Sequence, residues 1–385
     1  PFARATALGR LAGRDWRKPE SRGRYRQFVQ RTAALLQPDG RTALSNGVVH
    51  AAVPLLQFAA DTAGLKPSHR AALLVASLQS GGTKRQRHHT SAAPRLKRKH
   101  RPAVQSDAAR LACLRNNWGV GADACTIAFD GATPRIDLTA FGVPVLSGLW
   151  EASTAVSGRA LRPSGDWECV CWFSASTADY VELQRTTSSG VRLLRQALLS
   201  RDDHFLLLAD ILDAGDDAAT IEHTVSLPLQ SDSSATQDAL TREWRLERGP
   251  LALRVIPLGH QQESVQRASG SLRIDNGHVT LTQTAAGSRV VCPLLFDWSP
   301  NRRRAAAQWK QLTIAENGRI VTPAEAFAAR WRIGDDQWLY YHSLQPGETA
   351  RTFLGHHSFH ETVVGEVNAT GDVNQLVEVE YDAVD

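Results

Sequence analysis

The chain has 385 residues, 42% of them hydrophobic, with 44 Lys and Arg against 39 Asp and Glu and a net charge of +5. This length buries a large core and accommodates two domains. With no apolar run near ~18 residues, a membrane-spanning helix is excluded. The small net charge conceals a division. Residues 1–110 hold 21 Lys and Arg against 5 Asp and Glu, and the remainder 23 against 34. Either the N-terminal region binds a polyanion or the two halves attract each other.

A helix is predicted from Ser21, where Tyr25, Phe28, Val29, Thr32 and Leu36 recur at helical spacing and Pro38-Asp39-Gly40 ends it. A second is predicted near Ala52, with Pro54 in its first turn and Gly64 at its end. A third follows Ser68 as N-cap and runs through Leu73, Leu74 and Leu78 to Gly81-Gly82. Three short Ala-rich helices make a poor core alone, so their apolar faces must pack on something. The chain begins at Pro1 and contains no Met. A fragment whose true N-terminus is missing is the expectation, and the lack of a leader then carries no information on export.

Residues 84–101 carry eight Lys or Arg and no acid, most densely at Arg95, Lys97, Arg98 and Lys99. These four are candidate contacts for a sulfated or carboxylated polymer, or for nucleic acid phosphates. The alternative is a solvated basic linker over 81–107, because like charges repel and nothing apolar anchors the segment. The aromatic residues that stack bases in single-strand binders are absent from it.

From Ala108 the pattern turns to strands. LACLRNNWG reads as a short helix or turn, followed by a strand over 124–129, then PRIDLTAFGVPVLSGLWEAST as two strands about a Gly-Val-Pro turn. Gly165 to Leu229 has the ten-residue rhythm of an antiparallel meander. Trp167, Cys169, Cys171 and Phe173 are expected on one face and Glu168, Val170 and Trp172 on the other. Phe205 to Ile211 is nearly all apolar, as a strand covered on both faces would be. Further strands are predicted at 240–246, 251–257, 271–274, 278–283, 289–296, 326–333, 337–343, 349–354, 362–367 and 375–381. Asn276-Gly277 is the strongest hairpin signal, and one helix is expected within 302–310. The fold class is mainly β, a large antiparallel β-sandwich over 108–385 preceded by a short α-helical region. The five cysteines (Cys113, Cys125, Cys169, Cys171, Cys292) are odd in number and form no disulfide framework. Buried free thiols are expected.

LRNNWGVGADACTIAFDG, IDLTAFGVPVLSGLW and SRDDHFLLLADILD resemble the opening strands of the C-terminal sandwich of heparinase II/III-type polysaccharide lyases. Arg115, Trp118, Gly142, Leu146, Gly148, Arg201, Asp203, Phe205 and Asp210 stand in the places of that family's scattered fixed residues. WLYYHSLQPGETARTFLGHHSFHETVVGEV is similar to the closing strands of heparinase-like proteins of polysaccharide-degrading bacteria. The resemblance covers about residues 108–385. It implies that residues 1–80 are the last helices of an α/α toroid, that the partner is an acidic polysaccharide cleaved by β-elimination, and that the compartment is periplasmic or extracellular. It also implies an H-x-H-x-D-like run serving a divalent metal or catalysis. Here that run reads Thr133-Pro134-Arg135-Ile136-Asp137, so the ligands are not retained: Thr and Arg do not replace imidazoles. No cofactor is therefore expected.

A uronate lyase neutralises the carboxylate, removes the C5 proton and protonates O4. The candidate catalytic residues are Arg135, Asp137, His223 and Tyr340. Arg135 is suited to a carboxylate or sulfate, or else to pairing with a local acid such as Asp137. His223 reads equally as a buried, satisfied histidine and Tyr340 as the finish of a sheet face. His356 and His360 are the candidate metal ligands, but as strand residues they stand too far apart to act alone. Three readings stay open: a catalytically incomplete lyase-like protein, a non-enzymatic carbohydrate-binding or structural sandwich, and a polyanion or nucleic-acid binder through 84–101.

Overall fold

Side-chain alternation along the strands decides how the sheets stack. The computed structural model describes residues 19–37, 40–44, 53–66, 75, 102–162, 164–215 and 218–381. Arg95, Lys97, Arg98 and Lys99, and all of the predicted third helix but Val75, lie outside the described residues. Helices α1 (Pro19–Ala34) and α2 (Val53–Thr62) precede the strands. On α1 the i, i+4 row Tyr25, Val29, Ala33 is buried with Ala59, Ala60 and Leu65, while Phe28, about 100° back from Val29, is 56% exposed. Phe28 was expected on the packed face, and the i, i+4 row takes that place instead. Past the end of α2, Gly64 adopts a left-handed φ of +64°, as a helix-ending glycine does.

Among the described residues, five antiparallel sheets follow. The first is a meander of β1 (Val104–Ser106), β2 (Leu111–Arg115), β3 (Ala124–Ala128), β4 (Arg135–Ala140) and β5 (Val143–Leu149). The second has the order β16 (Gly270–Asp275), β17 (His278–Ala286), β12 (Thr220–Pro228), β6 (Glu151–Val156), β7 (Arg159–Ala160). The third is the central layer of eight strands: β13 (Ser234–Gln237), β14 (Trp244–Arg248), β15 (Leu251–Pro257), β18 (Arg289–Asp297), β11 (Phe205–Asp213), β10 (Arg192–Ser200), β9 (Ala178–Thr186) and β8 (Glu168–Ser174). The fourth is β19 (Ala307–Gln311), β22 (Ala326–Ile333), β23 (Asp336–Ser343), β26 (Thr362–Val367), β27 (Val373–Val379), and the fifth is β21 (Arg319–Ile320), β20 (Ala315–Glu316), β24 (Arg351–Phe353), β25 (His356–Ser358).

Strand β11 explains the stacking. Leu206, Leu208 and Leu212 enter a core shared with the first two sheets, beside Ile127, Leu138, Trp150, Leu227 and Leu281. Phe205, Leu207, Ala209 and Ile211 enter a second core against Trp331, Trp338 and Tyr340 of the fourth sheet. Each of these buried leucines is worth roughly 1.5–3 kcal/mol. The apolar run read from the sequence is therefore a strand covered on both faces, in the middle layer of a stacked antiparallel sandwich.

Some local expectations change. Leu111–Arg115 is a strand, not a helix or turn, because Ala112 and Leu114 are buried in the core while Cys113, between them, packs against the end of α1. A bulge between Cys169 and Cys171 puts Cys169 opposite Leu183 and Cys171 opposite Glu182. The extra residue flips the alternation, so Cys169 and Trp172 pack on the first core and Cys171 on the second. The expected helix within 302–310 is a single 3₁₀ turn at Pro300–Arg302 followed by β19. Alanine helix propensity amounts to a few tenths of a kcal/mol per residue, less than burying Trp309 opposite Trp331. Asn276 and Gly277, at φ +47° and +75°, form the hairpin turn that their dipeptide predicts.

The turn between β4 and β5 is Phe141-Gly142, one residue before the expected Gly-Val-Pro. Both residues have positive φ, +47° and +77°, as a type I′ turn requires. A Cβ on Gly142 would also lie 2.2 Å from the Val120 carbonyl oxygen. Gly142→Ala is expected to lower stability by about 2 kcal/mol or more, read as a lower urea midpoint at unchanged slope.

Candidate active site

The loop from β2 to β3 and the turn into β11 meet at the end of the first sheet, and four polar side chains converge there. Asp123 is fully buried. Its Oδ1 accepts the Phe141 N–H at 2.7 Å, and Oδ2 accepts the Asn116 amide at 2.8 Å and faces His204 Nδ1 at 2.6 Å. Asn116 Oδ1 in turn accepts the Asp123 N–H at 2.9 Å. With Asp123 as the acceptor, His204 donates from Nδ1, which leaves Nε2 as the ring nitrogen for another partner. The ring packs on Phe141 with centroids 4.5 Å apart, and 27% of the side chain reaches solvent. His204 also has a left-handed φ of +58°. The turn places this histidine where a solvent-side partner reaches it.

Beside it, Arg201 donates from Nη2 to Asp179 Oδ1 at 2.5 Å and to Ser174 Oγ at 3.0 Å, while the Arg115 N–H donates to Asp179 Oδ2 at 3.0 Å. Burial pushes the Asp179 carboxyl above its ordinary value, and its bonds to Arg201 and Ser174 offset only part of that. The Arg201 carbonyl accepts the Asn116 amide at 3.4 Å, tying the two clusters together. A partly exposed histidine with a buried carboxylate behind it has the parts of a proton-transfer pair.

The residues singled out from the sequence lie elsewhere. Arg135 pairs at the surface with Asp130 at 3.3 Å, not with Asp137. Asp137 is buried and accepts the Leu44 N–H, anchoring the segment after α1 to β4. Gln37 extends that anchor to Thr126 and Thr139 at 3.4 and 3.1 Å, and Arg115 donates to the carbonyls of Ala34 and Leu36. His223 lies inside the first core between Thr154 (2.8 Å) and Asp210 (3.1 Å). Tyr340 lies inside the second core, donating to Gln196 at 2.7 Å, with its hydroxyl held well above the ordinary tyrosine range by burial and by Glu182. His356 belongs to β25, whereas His360 follows that strand and faces Glu378 at 3.7 Å. The expected single strand running from 356 into 362–367 is two strands of different sheets. Thr133, Arg135 and Asp137 do not fit a metal, and among the described residues no group of three or more His, Cys, Asp or Glu is placed to hold one.

No family model and no curated protein matches the sequence. Solved structures do match by shape. The fold is shared with heparinase III. The heparan sulfate lyase HepC from Pedobacter heparinus superposes at a TM-score of 0.56 with 12% identity, over 82% of this chain and 52% of that one. A heparinase III gene product with methylated lysines gives 0.59 at 7% identity, over 89% and 55%. A further heparinase III gives 0.53 at 9%, over 85% and 55%. The chain spans about half the length of these enzymes. At such identities the likeness is one of fold.

Sequence reasoning missed Asp123 and His204 as a pair. Both stand in stretches that carried the resemblance, GADAC and RDDHF. They are 81 residues apart, however, so no spacing rule joins them. Their one local signal is that each is a polar residue at the mouth of a mainly apolar, buried strand.

Proposed function

We propose that this chain is the sandwich portion of a heparinase-type protein that acts on acidic polysaccharide, with His204 handling a proton on the sandwich side. The observation that carries the reading is the Asp123–His204 pair, 2.6 Å apart with the histidine open to solvent. In β-elimination the C5 proton leaves, the C4–O4 bond breaks, and O4 departs protonated, leaving an unsaturated uronate. A neutral His204 would accept or return that proton through Nε2, with Asp123 stabilising the imidazolium. On this reading residues 1–80 are helices of a toroid, 81–107 a basic linker, and the compartment periplasmic or extracellular. No helix among the described residues is long and apolar enough to cross a membrane.

A second reading, a non-catalytic carbohydrate-binding sandwich, is favoured by the tyrosines. Tyr180 and Tyr340 are fully buried, and burial, followed by Glu182, raises both far above the ordinary range. Tyr381 is pushed up to about 12, first by burial. None is suited to act as a base near neutral pH.

Incubation with heparan, chondroitin, alginate and pectin is expected to raise absorbance at about 232 nm from the unsaturated product on at least one polymer. His204→Ala is expected to lower that rate by about 100-fold or more. Silence on every polymer would leave the binding reading alone, and an unchanged rate in His204→Ala would remove the histidine from the chemistry.

A further inference from the structure

The sandwich is acidic as a whole, yet one part of it is not. Residues 242–254 and 297–304 contain seven arginines against three acids. The two segments are locked together, because Arg254 donates to the carbonyls of Arg302 and Arg303 at 3.0 Å each and also to that of Ala305. The β14–β15 register sets Arg245 directly opposite Arg254. Like charges facing each other across a ladder are destabilising, and one carboxylate relieves the pair: Glu243 accepts from Arg245 Nε and from Arg254 Nη1, each at 3.3 Å. That carboxylate is buried behind the strand, whereas Arg245 is 52% and Arg303 55% exposed at the side chain.

Between them runs an open, shallow groove with about 50 Å³ of enclosed space, lined by Arg245, Arg254, Arg303 and Ser299, with Glu247 and Asp297 also on its walls. Glu247 meets Arg303 at 3.5 Å with both side chains over half exposed, a weak, solvent-screened contact readily exchanged for an incoming anion. Asp297 is committed to Arg302 at 2.6 Å. Arg254 is buried and held by three backbone carbonyls and by Glu243, so the groove has a fixed floor, and the charge open to an incoming anion is that of the two exposed guanidinium forks, Arg245 and Arg303, at its rim.

We propose that this groove, which lies toward one edge of the central sheet and adjoins the turn carrying His204 through Asp297 and Trp298, binds a sulfated or carboxylated saccharide segment. Planar guanidinium forks match sulfate and carboxylate bidentately. Ala252 and Leu253 supply an apolar wall, and no aromatic ring lines the groove for base stacking. The anion preference stands on the arginines alone; the choice of a saccharide rests on the function proposed above.

Titration calorimetry on the full chain with a heparin oligosaccharide tests the proposal. Arg245→Gln/Arg303→Gln is expected to weaken binding about tenfold or more and to lower the salt slope of log Kd by about two. A variant with Arg95, Lys97, Arg98 and Lys99 changed to Gln is expected to keep the groove contribution. Affinity within twofold of the unaltered chain in the Arg245/Arg303 variant would overturn the proposal. So would complete loss of binding in the four-residue variant, or duplex DNA binding as tightly as heparin. The readout is independent of turnover: a chain silent at about 232 nm that still loses heparin affinity in the groove variant would sink the enzyme reading and leave the groove standing.

Discussion

Replacing Arg195 with alanine is expected to cost about 3–5 kcal/mol, the usual result of leaving one partner of a buried ion pair alone. Arg195 is buried in the first core, where Nε meets Asp210 Oδ2 at 3.2 Å and Nη1 donates to the Trp150 carbonyl at 2.6 Å. Its guanidinium also lies 4.8 and 5.0 Å from the ring centroids of Trp150 and Trp167. Burial alone would drive the Asp210 carboxyl up, but Arg195 and His223 together outweigh it and hold the group below the ordinary value. Without Arg195, Asp210 keeps only His223 in an apolar surround. The double variant Arg195→Met/Asp210→Leu is expected to be far less damaged than the sum of its singles, since it removes the charge together with its partner. Urea unfolding of the two singles and the double closes the cycle. A cost under about 1 kcal/mol for Arg195→Ala, or an additive double, would show that this pair does not organise the first core.

Stability is also expected to fall steeply as pH drops from about 6.5 toward 3. His342 lies inside the second core, where burial, followed by the charge of Arg192, lowers its pKa to about 3. Its Nδ1 is 2.8 Å from Thr362 Oγ1 and 3.2 Å from the Gln196 amide nitrogen, a donor, so Nδ1 is an acceptor and the ring is neutral. His260 is lowered to about 4, again first by burial and then by Arg242. In the unfolded chain both return to about 6.5. Between the two values the unfolded state binds protons that the native state refuses, so the slope of stability against pH is positive across that window. The full effect is about 5 kcal/mol for His342 and about 3 kcal/mol for His260. Glu325 adds a loss at lower pH, since its hydrogen bond to Arg319 holds it down to about 2. Denaturant midpoints at pH 7, 5.5 and 4 are expected to decline, and His342→Asn to flatten that decline. Identical pH profiles for the two proteins would remove His342 as the source.

Most of the architecture was legible because it is written in local periodicity. The nearly all-apolar run 205–211 pointed to a strand with cover on both faces, Asn276-Gly277 to a tight hairpin, and Ala326–Ile333, Leu251–Pro257 and Thr362–Val367 were readable to the residue. Each rests on side-chain alternation or backbone φ preference, which act within a few residues.

What only the tertiary structure decided is the partner of each polar group. Asp137 serves the Leu44 N–H, 93 residues away, instead of its neighbour Arg135, and Asp123 is matched to His204 across 81. The bulge that turns Cys171 into the second core and the strand built from an alanine-rich segment were settled the same way. Burying an unsatisfied carboxylate or exposing a tryptophan costs several kcal/mol, whereas local preference is worth tenths. Where the two compete, the packed neighbours win, and the sequence by itself does not say who those neighbours are.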